Sequence, residues 1–222
     1  MAERVEIESL AYGGAAIAHL ADGRVAFVEG GCPGDLADVE LVAEHQRHVD
    51  ARVLDLVTPS AHRVAPPCPY FGACGGCQWQ HVSADVQHKA KRDAVAHALA
   101  RIGGLEADLH VAATVATDRP YGYRNKVELL GRWSNGGLQL GFMHRGTDTL
   151  VDIDRCLLLP ETHQKAPRAL RGALRYLSGE NDLGIERVAL RVARHTRDVE
   201  VALWTVPDRF PRSLAVSTVA DA

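Results

Sequence analysis

The chain has 222 residues, of which 46% are apolar and 24% charged, and this composition is ordinary for a soluble globular protein. Such a length accommodates one large domain or two modest ones. No apolar run approaches the roughly 20 residues that cross a bilayer, and the charged start Met-Ala-Glu-Arg-Val-Glu lacks the apolar core of a secretory signal. We therefore expect a cytoplasmic protein that does not engage a membrane.

The net charge of −3 argues against a strongly basic nucleic-acid binder, but the charge is unevenly distributed. Residues 1–60 hold four arginines against eleven acidic residues, a balance of −7. Residues 61–222 hold 21 lysines and arginines against 17 acidic residues, a balance of +4. If the protein binds RNA, the attracting field comes mainly from the second part of the chain.

Residues 1–60 carry the pattern of a small all-β domain. Short stretches of alternating polarity, such as Val5–Glu8 and Val39–Val42, are separated by the turn sequences Asp22-Gly23 and Gly30–Asp35. Regularly spaced short strands with glycine turns are typical of a small barrel. Thr58-Pro59-Ser60 and Pro66-Pro67 interrupt the pattern and mark a boundary.

Residues 61–110 combine a cysteine-rich loop with a predicted helix. Ser83 is a candidate N-cap, Val86 to Ile102 show apolar spacing close to that of a helix, and Gly103-Gly104 is a suitable stop. Residues 111–222 indicate an α+β domain. Ser134–Gly137 joins two β-prone runs in a predicted hairpin, residues 161–178 predict a helix, and a second hairpin turns near residues 195–198.

Four of the five cysteines form one constellation. Three lie in the loop Cys68-Pro-Tyr-Phe-Gly-Ala-Cys74-Gly-Gly-Cys77, and 78 residues separate Cys77 from Cys156. Four thiolates suit an iron–sulfur cluster or a structural zinc ion. A zinc site usually pairs two C-x2-C motifs, and this chain has one. The spacing therefore favours a cluster, with zinc and unliganded thiols as alternatives, and does not distinguish a four-iron from a two-iron centre. The eleven histidines show no metal-binding spacing.

The residues around these cysteines resemble the cluster signature of the RNA (uracil-5-)-methyltransferases, in particular the ribosomal RNA type. The stretch that carries the resemblance is Arg63-Val-Ala-Pro-Pro-Cys68-Pro-Tyr-Phe-Gly-Ala-Cys74-Gly-Gly-Cys77-Gln-Trp-Gln-His81. Residues 10–35 resemble that family's TRAM domain, Tyr121–Lys126 the start of its central domain, and Val151–Cys156 the strand that carries the fourth ligand.

The resemblance implies an α+β fold in three parts: an OB-like TRAM β-barrel over residues 1–60, a cluster loop and helix over 61–110, and an antiparallel α+β central domain over 111–222. It implies that Cys68, Cys74, Cys77 and Cys156 hold a structural 4Fe–4S cluster that fastens the loop to the central domain. It implies S-adenosylmethionine as the methyl donor of the full-length enzyme and 5-methyluridine, most plausibly in 23S rRNA, as its product.

The resemblance also places the family's catalytic cysteine and methyl-donor domain after the central domain. No glycine-rich strand–turn–helix for S-adenosylmethionine is recognisable in the 222 residues, and Cys32 lies in a Gly-Cys-Pro-Gly turn unsuited to a nucleophile. We therefore expect the catalytic residues beyond residue 222, the fragment to be inactive alone, and a separate methyltransferase half as one candidate partner.

Cations and aromatic residues alternate between residues 119 and 133, a pattern that suits single-stranded RNA. The candidate RNA-binding residues are Arg119, Tyr121, Arg124, Lys126 and Arg132. Structured RNA is the expected partner, with ribosomal RNA preferred and transfer RNA as the alternative. Two other functions stay open: a stand-alone, non-catalytic RNA-binding module and, less favoured, a ferredoxin-like redox protein.

Overall fold

A computed structural model describes residues 2–105, 110–193, 195–196, 198–206 and 210–220. The chain divides into two compact units, the first formed by residues 1–69 and 77–116 and the second by residues 70–76 and 117–222. Within the described residues, no helix combines the length and the apolar character needed to span a membrane.

The first unit contains a six-stranded sheet and one helix. Its strands and helix are β1 (Ala2–Glu6), β2 (Ser9–Leu10), β3 (Ala16–His19), β4 (Val25–Glu29), β5 (Leu36–Glu44), β6 (His48–Thr58) and α1 (Ala84–Arg101). The strand order is β1-β5-β6-β4-β3-β2, and all neighbours are antiparallel except β4 and β6. The side chains facing the interior are small and apolar, among them Val5, Ile7, Ala18, Val28, Val39 and Val49.

This sheet curls on itself. Strands β1 and β2 lie at opposite edges of the strand order, yet only Ile7 and Glu8 separate them along the chain. The Ile7 amide donates to Asp35 O on one side, and the Glu8 amide donates to Ile17 O on the other. The two edges of the sheet therefore approach each other.

The predicted helix of the first unit is confirmed as α1. Ser83 occupies the N-cap position with an extended backbone, but its hydroxyl donates to the Asp85 carboxylate and makes no capping bond. The helix ends before Gly103-Gly104, and Gly104 has a φ of +65°, the left-handed conformation that glycine favours. None of the helical residues is buried, although Val86 and Ala90 pack partly against the core of the sheet.

The second unit contains a five-stranded antiparallel sheet with helices. Its elements are β7 (Lys126–Ser134), β8 (Gly137–Met143), β9 (Leu150–Asp152), a 3-10 turn (Glu161–His163), α2 (Ala166–Ser178), β10 (Ile185–Val192), β11 (Val199–Thr205) and α3 (Arg212–Ala220). The strand order is β11-β10-β7-β8-β9. Both predicted hairpins are confirmed, as β7–β8 and β10–β11. In the first, Asn135 and Gly136 both have positive φ, as a type I′ turn requires.

The helix predicted over residues 161–178 is interrupted. A 3-10 turn over Glu161–His163 precedes α2, which begins at Ala166. Pro167 explains the break, since proline lacks an amide hydrogen and is tolerated in the first turn of a helix but not in its interior. Helix α2 buries Leu170 and Leu174, and the Arg175 side chain donates to Leu138 O of β8 at 2.7 Å.

Candidate metal centre and RNA-binding residues

Cys68 and Cys77 belong to the first unit, where the chain on either side of them is anchored to the curled sheet. The Cys68 amide donates to Gln80 Oε1 at 3.3 Å. The Trp79 indole donates to Gly14 O at 3.0 Å, and His81 Nε2 lies 3.0 Å from Gly31 O. Both cysteines are partly exposed.

Cys74 belongs to the second unit, where its loop is paired with the end of β8. The Cys74 amide donates to Tyr70 O at 2.8 Å, and Cys74 forms an isolated bridge with His144. The Gly75 amide donates to Met143 O at 3.0 Å. A Cβ on Gly75 would lie 2.9 Å from that same carbonyl oxygen, so this position requires glycine for the close approach of two backbones.

Cys156 is nearly buried and lies four residues after β9 in the second unit. Its amide donates to Gln164 O at 2.9 Å. The segment ahead of it is fixed by Tyr70, whose hydroxyl accepts a hydrogen bond from the Asp154 amide at 2.8 Å. Tyr70 thereby connects the two cysteine-bearing segments of this unit.

An ion-pair network that the sequence did not predict also fixes the segment ahead of Cys156. Arg171 of α2 donates to Asp152 Oδ1 at 2.6 Å, to Ile153 O at 3.1 Å and to the Asp154 carboxylate. Burial by itself would lower the pKa of Arg171, but its bonds to Asp154 and Asp152 outweigh this and raise it. The sequence signal for this network is the pair of aspartates, Asp152 and Asp154, that precedes Cys156, together with an arginine on the following helix that can bridge them.

The thiols fit the chemistry of a metal or iron–sulfur ligand set. All five cysteines are among the described residues, and none forms a disulfide bond. The Gly76 amide lies 3.4 Å from Cys74 Sγ, a geometry in which an N–H group supports a thiolate. Amide hydrogen bonds to ligand sulfur stabilise the ionised thiol and tune the metal centre.

Cys32, the fifth cysteine, lies in a different environment. It is fully buried in the core of the first unit. Desolvation by burial is the largest influence on its thiol, and the pKa of Cys32 is raised. A thiol with a raised pKa is a poor nucleophile and a poor metal ligand, which agrees with its predicted structural role.

Two of the predicted RNA-binding residues, Arg119 and Tyr121, line one cleft in the second unit. The cleft has a volume of about 660 Å³ and is also lined by the residues of the 3-10 turn, by Gln164 and by Val192 and Ala193. Arg119 is exposed and Tyr121 partly buried. A guanidinium and an aromatic ring in one polar cleft suit a phosphate and a stacked base.

The other three RNA-binding candidates are exposed outside this cleft. Arg124 lies two residues before β7, and its amide donates to Leu158 O at 2.8 Å. Lys126 pairs with Glu128 at 2.5 Å, and Arg132 donates to Asp148 O at 3.1 Å. Lys126 must leave a carboxylate to contact a phosphate, which makes it the weaker candidate.

Comparison with known proteins shows what the chain is similar to. The family model of the TRAM domain matches residues 2–54. An uncharacterized RNA methyltransferase of Gloeobacter violaceus is 40% identical over 153 residues, which cover 68% of this chain and 33% of that protein. The 23S rRNA (uracil(1939)-C(5))-methyltransferase of Halomonas elongata is 36% identical over 179 residues, which cover 80% of this chain and 36% of that protein.

The chain is a homologue of the RNA (uracil-5-)-methyltransferases. It spans between a third and a half of the length of the curated relatives it matches. A solved structure has the same fold: the tRNA (uracil-54, C5)-methyltransferase of Pyrococcus abyssi, in complex with S-adenosyl-L-homocysteine, aligns with a TM-score of 0.61 and 24% identity. That alignment covers 93% of this chain and 48% of the other.

The match to the TRAM model and the shared fold of the solved structure confirm the TRAM domain and the α+β fold that the sequence predicted. The TRAM match covers residues 2–54, within the acidic part of the chain. This acidity is unexpected for a domain that binds RNA, because RNA-binding domains are expected to be basic. The basic candidates for RNA contact, which are Arg119, Arg124, Lys126 and Arg132, lie in the second unit.

Proposed function

We propose that this chain is the RNA-binding, iron–sulfur-containing part of an S-adenosylmethionine-dependent methyltransferase that forms 5-methyluridine, with 23S rRNA as the preferred substrate and tRNA as the alternative. The observation that supports this most directly is the similarity to the Halomonas 23S rRNA enzyme over 80% of the chain. The curled sheet of the first unit serves as an OB-like barrel, and the protein acts in the cytoplasm.

The residues that carry out methyl transfer, and the site for S-adenosylmethionine, are expected outside these 222 residues. We therefore expect the chain alone to bind RNA without methylating it. Incubation with unmodified 23S rRNA and methyl-labelled S-adenosylmethionine tests this, with a full-length relative as the positive control. Incorporation of label by the chain alone would contradict the expected inactivity, while a failure to bind RNA would contradict the RNA-binding role.

RNA binding is tested by substitution in the polar cleft of the second unit. Arg119→Ala is expected to weaken binding of a 23S rRNA fragment and to lower the salt dependence of the affinity, because one phosphate contact is lost. Arg52→Ala is the matched control, since this exposed arginine of the acidic first unit pairs with Glu40. Equal losses for both variants would contradict a specific role for the cleft.

We further propose that Cys68, Cys74, Cys77 and Cys156 ligate a 4Fe–4S cluster. The Gly76 amide, which lies 3.4 Å from Cys74 Sγ, supports this ligand set. The cluster stabilises the fold. Because only the folded chain binds it, the free energy of binding adds to the free energy of unfolding. Cys156→Ser is expected to lower the melting temperature of the anaerobically purified protein, while Cys32→Ala leaves the cluster in place.

A further inference from the structure

Three side chains with metal-binding atoms converge at the turn between β5 and β6 in the first unit. His45 lies in the turn, and His48 and Asp50 lie at the start of β6. Their ligand atoms all lie within 4.8 Å of one another. The sequence did not reveal this group, because its members come from a turn and a strand and follow no familiar metal-binding spacing.

The backbone brings these side chains to one place. The His45 amide donates to His48 O at 2.9 Å and closes the turn. His48 and Asp50 are two residues apart on one strand, so their side chains point to the same face, while Val49 between them is buried. The arrangement therefore follows from the hairpin itself.

The side chains are partly ordered by contacts with each other and with the sheet. His45 Nε2 lies 2.9 Å from Asp50 Oδ2, and the His45 and His48 rings stack with their centroids 4.3 Å apart. Phe27 packs edge-on against His48 with a centroid distance of 5.4 Å. These contacts fix the ring of His48 and hold the carboxylate against His45.

We propose that His45, His48 and Asp50 bind one divalent transition-metal ion of the Zn²⁺ class. Two imidazole nitrogens and one carboxylate oxygen are a donor set that Zn²⁺ accepts, with a water or another ligand in the fourth position. Residues 1–60 carry a balance of −7, so the surrounding field attracts a cation.

Binding requires only a small rearrangement. Metal–nitrogen bonds of about 2.0–2.1 Å place the donors of a tetrahedral site roughly 3.4 Å apart. Small side-chain rotations would bring the donors from within 4.8 Å to this spacing, and the side chains of His45 and Asp50 are about half exposed, so the surface leaves room for this movement.

A zinc titration followed by the imidazole nitrogen resonances tests the site, because each histidine is observed separately from any metal bound by cysteine. The resonances of His45 and His48 are expected to shift together and to saturate at one equivalent for this site. His45→Ala should weaken the response of His48 by more than about tenfold, since even outer-shell changes commonly cost 10- to 100-fold in metal affinity.

His19→Ala is the matched control. His19 Nδ1 lies 2.7 Å from Glu8 Oε1, and the His19 side chain is about as exposed as that of His45. Among the described residues, no third metal-binding side chain joins this pair. This variant should leave the His45 and His48 response unchanged. The proposal would be overturned if the His45 and His48 resonances of the wild-type chain do not shift at excess Zn²⁺, or if the His19 resonance shifts equally. Both outcomes are measured on the wild-type chain, so the test holds even if His45→Ala fails to fold.

Discussion

The two units each fix the chain ahead of a proposed cluster ligand with a charged network, but the two networks differ in exposure. In the first unit, the fully buried Asp35 accepts hydrogen bonds from the amides of Cys32 and Ser60 and from the Arg63 guanidinium, at 2.6 to 2.8 Å. In the second unit, Arg171 bridges Asp152 and Asp154, and the Asp154 side chain is 55% exposed.

The difference in exposure changes what each network contributes. If the Asp35 carboxylate is removed, no water replaces it for the buried donors, so the cost is large. If Arg171 is removed, Asp154 regains water and the cost is smaller. We therefore interpret the Asp35 network as a determinant of folding and the Arg171 network as a device that positions the segment before Cys156.

Removal of the buried carboxylate should have the largest effect. Asp35→Ala is expected to lower the free energy of unfolding by about 3–5 kcal/mol, the usual cost of breaking a buried ion pair from one side. Urea denaturation measures this. Asp38→Ala is the control, because Asp38 forms an exposed pair with Arg4 and should cost far less. Equal losses in the two variants would contradict the assigned role of burial.

The second-largest effect is expected from acid, which should weaken the Asp35 network. Burial by itself would raise the pKa of Asp35, but the hydrogen bonds from Arg63, Ser60 and Cys32 outweigh it and hold the pKa below its usual range. A depressed folded-state pKa gives stability that is complete above the unfolded value of about 3.9 and is lost as the pH falls below it.

The stability difference between wild type and Asp35→Asn should therefore stay constant from neutral pH to about pH 5 and shrink below about pH 4. Urea denaturation across this range measures the difference. A gap that shrinks between pH 7 and pH 5 would show that the carboxylate titrates near or above its ordinary pKa and that the network does not stabilise its charge.

The Arg171 network is only partly buried and should have a smaller effect. Arg171→Met is expected to cost about 1–2 kcal/mol, because hydrogen bonds to charged groups are lost while the stem still packs. It should also speed the loss of iron to a chelator, since the segment before Cys156 is released. Arg168→Met is the control on an exposed position of the same helix. A loss as large as that of Asp35→Ala would remove the contrast between the units.

The exposed contact between Ser83 and Asp85 should have the smallest effect on stability. Ser83 was predicted to cap α1, and loss of a helix cap typically costs about 1 kcal/mol. The Ser83 hydroxyl instead contacts the Asp85 carboxylate and makes no capping bond. Ser83→Ala is therefore expected to stay within about 0.5 kcal/mol of wild type in urea denaturation. A full capping loss would show that the serine caps the helix in solution.

Local features of the fold were predictable from sequence, and long-range side-chain networks were not. The turn Asn135-Gly136 and the stop at Gly103-Gly104 depend on backbone preferences of single residues, which the sequence displays directly. The break in the helix before Ala166 and the helix α3 (Arg212–Ala220) escaped prediction. Pro167 is a sequence signal for this break, because proline is tolerated in the first turn of a helix and not in its interior.

The sequence predicts which residues form the candidate site, but not the side-chain contacts that hold them in position. The four cysteines and the cleft residue Arg119 were visible as motif and composition. The Arg171 network and the His45–His48–Asp50 group join residues by tertiary contacts, and no periodicity or spacing encodes which side chains the fold brings together.

The central claim is that four cysteines of this methyltransferase homologue hold an iron–sulfur cluster, and metal and sulfide analysis of the anaerobically purified chain tests it most directly. We expect about four iron and four sulfide per chain in wild type and in Cys32→Ala, and loss of both in Cys156→Ser. A colourless wild-type protein with one zinc ion and no sulfide would contradict the claim.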